Sequence, residues 1–154
     1  MTFNRDGSML AAAGFDGSVI LWDTSSWERV RETTIDNAVL SLAFSPDGMV
    51  LAAGTETGEV EFLDVETGQR IGGAVAGQRD WVNTVAFTPD GRTLVAGSED
   101  GSIALFDASV WTDDVEVLED ELCRVAGRGF TEAEWAEFVD FKPYEPACPN
   151  LGGS

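Results

Sequence analysis

One pattern recurs three times along the chain at a nearly constant interval. Each copy has a phenylalanine, an Asp-Gly turn that begins three residues later, a short apolar run, a second turn with glycine, and a strand-like run that ends in aspartate. The opening phenylalanines are Phe3, Phe44 and Phe87, and the closing aspartates are Asp23, Asp64 and Asp107. Both sets are spaced by 41 and 43 residues. A period of this length is typical of a repeat architecture, and it constrains the fold before any local detail does.

The copies predict strands in the same order, four in a complete copy. Turns such as Asp16-Gly17 favour hairpins, because glycine adopts positive φ without steric cost. The second copy predicts strands at 39–44, 49–53, 59–63 and near 69–75, and the third predicts strands at 82–87, 93–97 and 102–106. The inner strand at 39–44 is nearly all apolar, as in a strand covered on both faces, whereas the outer strand within 24–34 is the most polar. We therefore expect burial to fall from the inner to the outer strand.

A four-stranded antiparallel meander repeated in this way is the blade of a β-propeller. The predicted fold is therefore all-β over residues 1–110, with about two to three blades that break near 23–38 and 64–81. Propellers close with about four to eight blades. We thus expect a partial propeller, the C-terminal part of a longer one, whose outermost blades leave apolar faces open.

The repeats resemble those of the WD40 family. Trp22-Asp23 is the family's name-giving dipeptide, and Leu63-Asp64 and Phe106-Asp107 are its weaker forms. The stretch from Gly77 to Gly91 is similar to the family's run from a Gly-His step to a Ser-Pro-Asp-Gly turn, with Gln78 where the family usually has histidine. The resemblance implies four-stranded blades, usually seven in a ring, with loops that bind protein partners. The missing histidine implies that the family's His-Ser-Asp-Trp hydrogen-bond network is absent.

After Asp107 the sequence predicts a short α-helical C-terminal appendix over residues 111–154. Val115, Leu118, Leu122 and Val125 have helical spacing, and the stretch from Phe130 to Trp135 predicts a second helix with Thr131 as its N-cap. Pro143, Pro146 and Pro149 predict an irregular end. With Cys123-Arg124, Pro143-Tyr144 and Cys148-Pro149, this part is similar to the tail of many bacterial WD40 proteins. In those proteins the propeller often follows an NTPase, protease-like or kinase effector domain, which the resemblance implies here too.

The two cysteines, Cys123 and Cys148, both lie in the predicted appendix. A disulfide between them would tie the first helix to the end of the chain and would stabilise the fold by roughly 3 kcal/mol. In a reducing cytosol they would instead remain thiols that pack as small hydrophobic side chains. The sequence leaves both states open.

The charge of the chain argues against two classes of partner. Nine Lys and Arg residues against 28 Asp and Glu give a net charge of −19, without the basic stripe of a nucleic-acid binder. An anionic membrane surface would repel such a chain, and no run of 18 apolar residues predicts a transmembrane helix. Because Met1 leads straight into the first repeat, no signal peptide is predicted and a cytoplasmic location is expected.

Catalysis, metals and cofactors are not predicted. The absence of histidine removes the Ser-His-Asp and Cys-His arrangements and the commonest metal ligand. No Asp-x-Asp-x-Asp-Gly loop with a distal glutamate predicts calcium binding. Glu59 and Glu61 share one face of a predicted strand, which we interpret as a solvated blade surface. A propeller hydrolase would need three carboxylates that converge on the central channel.

Trp81 is the best single candidate for partner binding. It lies with Arg79 and Asp80 in the connection from an outer to an inner strand, and Asp36 and Asn37 occupy the equivalent connection one blade earlier. Exposed aromatic and arginine side chains are common hot spots of interfaces. Trp81 could equally pack between two blades, and Trp27, Trp111 and Trp135 are interpreted as packing residues.

The sequence therefore predicts a non-catalytic module for protein–protein interaction or scaffolding, which would sense or recruit a partner for an upstream effector domain. The alternative is a structural fragment without a partner site of its own. Such a fragment would complete a propeller by edge pairing or oligomerisation.

Overall fold

The computed structural model of the chain describes residues 1–108, apart from the side chain of Ala76. The predicted appendix at 111–154, with Cys123 and Cys148, lies outside the described residues. Residues 1–108 belong to the first of two compact units into which the chain divides.

Three antiparallel sheets make up the described part of the chain. The first sheet has β1 (Thr2–Phe3), β2 (Met9–Ala13), β3 (Ser18–Asp23) and β4 (Arg29–Thr34). The second has β5 (Val39–Phe44), β6 (Val50–Thr55), β7 (Glu59–Asp64) and β8 (Val75–Ala76), and the third has β9 (Val82–Phe87), β10 (Thr93–Ser98) and β11 (Ile103–Asp107). Each sheet is a meander in sequence order, so the prediction of repeated antiparallel meanders is confirmed. Within residues 1–108, no helix is long and apolar enough to cross a membrane.

The outer strand of the second sheet is shorter than the sequence predicts. A strand was expected near 69–75, and the structure has only Val75–Ala76, with an isolated bridge between Leu63 and Arg70 before it. Gly72 has φ of +66° and Gly73 follows it, so the chain leaves the ladder between these two contacts. Glycine permits that departure because it carries no Cβ.

Neighbouring sheets pack through the same positions of successive repeats. Val19 and Leu21 of β3 belong to a buried cluster with Leu51 and Leu63 of the second sheet. One repeat later, Val60 and Phe62 of β7 belong to a second buried cluster with Val82 and Leu94 of the third sheet. The repeat period therefore sets not only the strands but also the face by which each sheet contacts the next.

Burial does not fall steadily from the inner to the outer strand, which corrects the sequence-based expectation. All six residues of β6, a middle strand, are buried, whereas the inner strand β9 exposes Asn83, Thr84 and Ala86. The second sheet has a neighbour on each face, but the third has a neighbour on only one face among residues 1–108. Burial thus follows the number of covered faces. The outer strand β4 is exposed as expected.

Trp27 is not a packing residue, contrary to the interpretation of the sequence. Its side chain is 60% exposed, and its backbone has φ of +58° in the turn between β3 and β4. The Trp27 N–H donates to the carbonyl oxygen of Asp23 at 2.8 Å. The local turn fixes the backbone of this residue and points its indole away from the core.

Aspartate carboxylates close the repeated turns. In each case one carboxylate oxygen accepts hydrogen bonds from a nearby serine or threonine hydroxyl and from a backbone N–H two residues later; this holds for Asp6, Asp16, Asp23 and Asp90. At Asp23 the hydroxyl of Ser25 donates at 2.6 Å and the N–H of Ser26 at 2.9 Å. The Ser25 hydroxyl, then the N–H groups of Ser26 and Ser25, lower the pKa of Asp23 from 3.8 to about 2. The aspartates of the repeat therefore stabilise the turns by accepting hydrogen bonds.

Asp23→Asn is expected to reduce the loss of stability on acidification. Because the pKa of Asp23 is lowered in the folded state, its ionised form favours folding above pH 3.8, and that contribution is lost as the pH falls from about 3.8 to about 2. The variant lacks this proton uptake, so its stability should depend less on pH in that window. Urea unfolding at a series of pH values, followed by circular dichroism, measures the difference. If Asp23→Asn had the same pH dependence of the free energy of unfolding as the wild type, Asp23 would not be the residue responsible. Ser25→Ala should have a pH dependence between those of the wild type and Asp23→Asn.

Candidate protein-binding rim

Five segments lie along one edge of the three sheets. Strands alternate in direction within a meander, so the β2–β3, β6–β7 and β10–β11 turns and the β4–β5 and β8–β9 connections share that edge. We call this edge the rim; its segments are residues 14–17, 35–38, 56–58, 77–81 and 99–102. All five predicted partner-binding residues lie on the rim.

The β8–β9 connection holds Trp81 by its backbone. The Glu99 N–H donates to the Trp81 carbonyl oxygen at 2.9 Å, and the Ser98 hydroxyl donates to the Asp80 carbonyl oxygen at 3.1 Å. The Trp81 N–H donates to Asp80 Oδ1 at 2.9 Å, and the Arg79 N–H to Asp100 Oδ2 at 3.4 Å. The Trp81 side chain is 46% exposed. The backbone of Trp81 is thus fixed while its indole stays half-exposed, and a group fixed in this way loses little conformational entropy if it binds a partner.

Gln78 stands where the WD40 family usually has histidine, and only one end of its side-chain amide is hydrogen-bonded. Its Nε2 donates to the carbonyl oxygens of Ala96 at 3.0 Å and Ser102 at 3.3 Å. Its Oε1 is buried and has no hydrogen-bond partner among the described residues. The glutamine thus anchors the β8–β9 connection to the third sheet, but leaves one acceptor unsatisfied.

The β4–β5 connection carries Asp36 and Asn37 into a different environment. Asp36 is an exposed carboxylate whose Oδ2 lies 3.5 Å from Nη2 of Arg70. Asn37 is only partly exposed, between the buried Ile35 and Ala38. The structure therefore groups Arg79, Asp80 and Trp81 in one segment and places Asp36 and Asn37 in another. No hydrogen bond or ion pair within residues 1–108 joins the two segments.

Each connection lies directly on a glycine of the preceding turn. Gly17, at φ of +77°, faces the carbonyl oxygen of Ile35, and Gly58, at φ of +81°, faces that of Gln78. A methyl group added at either glycine would overlap the facing carbonyl oxygen. Glycine is thus required at these two positions both by the backbone angle and by the close approach of the connection.

A buried ion pair lies below the β4–β5 connection. Glu61 of β7 is 4% exposed, which corrects the prediction of a solvated strand face. Arg70 Nη2 donates to Glu61 Oε1 at 2.9 Å, and Arg70 Nε lies 2.7 Å from Oε2, at an angle outside hydrogen-bond geometry. Burial, the largest influence, raises the pKa of Glu61, while the charge of Arg70 opposes the shift and the charges of Asp36 and Glu59 add to it.

Phe15 is a rim residue that the sequence analysis did not select. Its side chain is 76% exposed in the turn between β2 and β3. The equivalent residues in the other repeats are Glu56 and Glu99. A large apolar side chain where the other repeats have a charged one is the signal that could have identified it, because exposed aromatic side chains favour interfaces.

Two grooves lie away from the rim. One, of about 440 Å³, is at the opposite edge between the first two sheets and is lined by Met9, Asp23, Val30, Arg31, Met49 and Glu66 among others. The other, of about 510 Å³, lies where the inner strands approach one another and includes Phe3, Phe44 and Phe87. Residues 1–108 contain no group of three acidic, histidine or cysteine side chains placed to hold a metal ion.

Two family models match the chain. The model described as the anaphase-promoting complex subunit 4 WD40 domain matches residues 1–82. The model described as the WD domain, G-beta repeat, matches residues 71–107. Together the two models extend over the residues that form the three sheets.

Several known proteins are similar to parts of the chain. The periodic tryptophan protein 2 homolog of Mus musculus is 35% identical over 81 residues, which are 52% of this chain and 9% of that protein. The small ribosomal subunit protein RACK1 of Candida albicans is 41% identical over 58 residues, which are 38% of this chain and 18% of that protein. The chain thus spans less than a fifth of the length of either relative.

A solved structure has the same fold. The crystal structure of RRP9 WD40 repeats superposes with a TM-score of 0.66 at 24% sequence identity, over 71% of this chain and 34% of that one. At this identity the superposition concerns the fold alone. The three sheets of residues 1–108 correspond to about a third of that solved chain.

Proposed function

The chain belongs to the WD40-repeat family, and from this premise we propose that it is a non-catalytic module that binds a protein partner through its rim. WD40 domains generally mediate protein–protein interaction and scaffolding. The single observation that carries the proposal for this chain is Trp81, whose backbone is fixed by hydrogen bonds while its indole is 46% exposed. Tryptophan and arginine are enriched among residues that dominate binding energy.

The proposed binding surface is the β8–β9 connection rather than both connections. Arg79, Asp80 and Trp81 are consecutive there, and all three are exposed. Asp36 is engaged by Arg70 across the second sheet and Asn37 is partly buried, so their contribution would be secondary. Phe15, on the same edge, adds an apolar contact at the first sheet.

The charge of the chain favours a protein partner with basic groups. At −19, the chain would repel nucleic-acid phosphates and anionic lipids, so neither is proposed as a partner. Complementary charge speeds association and selects partners. Because the chain resembles bacterial WD40 proteins, we propose that this module senses or recruits the partner for an effector domain upstream in the full-length chain. The proposed location is the cytoplasm.

Trp81→Ala is expected to weaken partner binding by about 30-fold, the equivalent of roughly 2 kcal/mol for a hot-spot residue. The thermal midpoint should stay near that of the wild type, since the indole is half-exposed. The measurement is affinity capture from the source lysate with the immobilised chain, followed by biolayer interferometry with the recovered protein.

Trp27→Ala is the matched control for this experiment. Trp27 is also an exposed tryptophan, at 60%, but it lies in the β3–β4 turn at the opposite edge of the sheets. Its removal should leave the affinity unchanged. Equal affinities for wild type and Trp81→Ala would remove the rim proposal, and equal losses for both variants would indicate nonspecific aromatic binding.

A second candidate function is structural, and one observation favours it. Ile103 and Leu105 of β11 are 74% and 70% exposed, on a face of the third sheet that no other sheet within residues 1–108 covers. Such a chain would complete a propeller by presenting this face to another chain.

A further inference from the structure

The groove between the first two sheets lies at the edge opposite the rim and has no role in the function proposed above. Its volume is about 440 Å³, and its lining residues all lie between positions 9 and 66. Both of its walls are four-stranded sheets, so the groove is formed without any contribution from the third sheet. Pockets that bind small molecules typically have volumes of about 300–1,000 Å³. A groove of this size can therefore receive a long side chain.

Apolar side chains from both sheets line the groove. Val30 of β4 and Met49, in the turn before β6, are 43% and 67% exposed there. Met9 of β2 and the buried Val65 add to the same lining. Methionine is unbranched and adapts its shape to a bound group. This part of the groove thus suits a flexible hydrocarbon chain.

Carboxylates lie beside this apolar lining. Asp23 and Asp64, the closing aspartates of the first two repeats, line the groove together with Glu66. Their Oδ1 atoms accept turn hydrogen bonds, from the Ser25 hydroxyl at 2.6 Å and the Thr67 hydroxyl at 2.7 Å. In the part of the chain that the structure describes, no hydrogen bond reaches Oδ2 of either aspartate. The turns therefore fix two carboxylates and leave one oxygen of each available to a ligand.

The arginine of the groove does not neutralise these carboxylates. The Nε of Arg31 donates to the backbone carbonyl oxygen of Glu66 at 2.7 Å. Within residues 1–108, Arg31 forms no ion pair with a carboxylate. Three carboxylates and one guanidinium line the groove, so its charge is negative. Complementary charge selects partners, and this charge selects a cation.

The next joint along the chain keeps the backbone contact but not the apolar lining. The Val65 N–H donates to the Met49 carbonyl oxygen at 2.9 Å, and one repeat later the Ala108 N–H donates to that of Arg92 at 2.8 Å. Arg92 occupies the repeat position of Met49, directly after the Asp-Gly turn. A positive charge thus stands where the first joint has an exposed apolar side chain. Of the two joints described, only the first combines an apolar lining with a negative charge.

We propose that this groove binds a basic side chain, lysine or arginine, from an extended segment of a protein partner. Long basic side chains have an apolar stem and a charged end, which match the two parts of the groove. The stem packs against Met9, Val30 and Met49. The charged end binds the free oxygens of Asp23 and Asp64. The groove is a second interaction surface, and the proposal does not rest on the rim.

Methyl NMR of the 154-residue chain with isotope-labelled methionine tests the proposal, because the chain has three methionines. Met9 and Met49 line the groove, and Met1, at 91% exposure outside it, is the internal control. The peptide acetyl-Gly-Ala-Lys-Ala-Gly-amide, or the same peptide with arginine, should shift the Met9 and Met49 signals to saturation and leave that of Met1. A peptide with norleucine keeps the stem without the charge. It should bind about 5-fold more weakly, as expected for the loss of a solvent-exposed ion pair.

Asp64→Asn should weaken binding of the lysine peptide by about 5-fold and change that of the norleucine peptide little. Asparagine keeps Oδ1 for the turn and replaces Oδ2 by a donor. Glu66→Gln removes a charge of the groove without changing a turn, since no hydrogen bond reaches its side chain among residues 1–108. Asp90→Asn is the matched control, because Asp90 accepts the same kind of turn hydrogen bond from Thr88, at 2.6 Å, outside the groove. Its affinity should equal that of the wild type.

Four results would overturn the proposal. With neither basic peptide shifting Met9 and Met49 to saturation, the groove binds no basic side chain. Equal affinities for the lysine and norleucine peptides would show an apolar site, and tighter binding of a glutamate peptide would show that Arg31 selects an anion. Equal losses in Asp64→Asn and Asp90→Asn would indicate general attraction to the net charge of −19.

The groove and the rim can be tested separately. Trp81→Ala should leave the methionine shifts unchanged, because Trp81 lies at the opposite edge of the sheets. Asp64→Asn should leave the affinity for the rim partner unchanged for the same reason. Failure of one proposal therefore leaves the other standing.

Discussion

Gly58→Ala is expected to lower the free energy of unfolding by about 3 kcal/mol. An L-residue in the left-handed conformation costs roughly 1–2 kcal/mol, and Gly58 has φ of +81°. The new methyl group would also overlap the carbonyl oxygen of Gln78, which is backbone and cannot rotate away. Forcing such a contact apart typically costs about 1–3 kcal/mol. Urea unfolding followed by tryptophan fluorescence measures the loss.

Gly101→Ala separates the two causes. Gly101 has the same φ of +81°, but nothing among the described residues lies within 4 Å of the position of its Cβ. This variant should therefore show only the conformational cost, about 1–2 kcal/mol. Equal losses at the two positions would show that the close approach of the β8–β9 connection contributes nothing.

The loss at Gly58 also has a functional consequence. The β8–β9 connection must shift to accommodate the methyl group, and Trp81 lies three residues after Gln78 on that connection. A rim that depends on a fixed backbone should then bind its partner more weakly. Gly101→Ala, which moves no connection of the described chain, should bind normally.

The strands could be predicted from the sequence because their signals are local and repeated. Asp-Gly turns and apolar runs recur at one period, and each strand boundary repeats with them. The shortened β8 could not be predicted in this way. There the only signal is the pair Gly72 and Gly73, which the other two repeats lack and which releases the chain from the ladder.

Burial and side-chain pairing were harder to predict than strand position. Glu61 occupies an alternating position that, in one strand considered alone, fits a solvated face. It is buried because a sheet has neighbours on both sides and because Arg70, beyond the next turn, neutralises it. The sequence places Trp81 on a connection, as the structure does. The exposure of Trp81 depends on how that connection packs against the third sheet. These features depend on contacts between sheets, so the sequence of a single repeat does not predict them.

Arg70→Ala is expected to lower the free energy of unfolding by about 2 kcal/mol at pH 7. Removing one partner of a fully buried ion pair costs about 3–5 kcal/mol, and a loss below that range is expected here because the Arg70 side chain is 43% exposed. The variant leaves the Glu61 carboxylate buried without its counter-charge. Chemical unfolding at pH 7 measures the loss, and Arg29→Ala, which removes an exposed pair with Glu32, is the matched control with little expected effect.

The loss in Arg70→Ala should also depend on pH in a direction set by Glu61. Burial already raises the pKa of Glu61, so the folded state binds its proton more tightly than the unfolded state. Without Arg70 the pKa should rise further, because the charge that opposes the shift is gone. The destabilisation is therefore fully present above the folded pKa and is relieved as the pH falls through it. In Glu61→Gln/Arg70→Ala this relief should vanish, and a pH-independent loss in Arg70→Ala itself would show that Arg70 stabilises the sheet by packing rather than by charge.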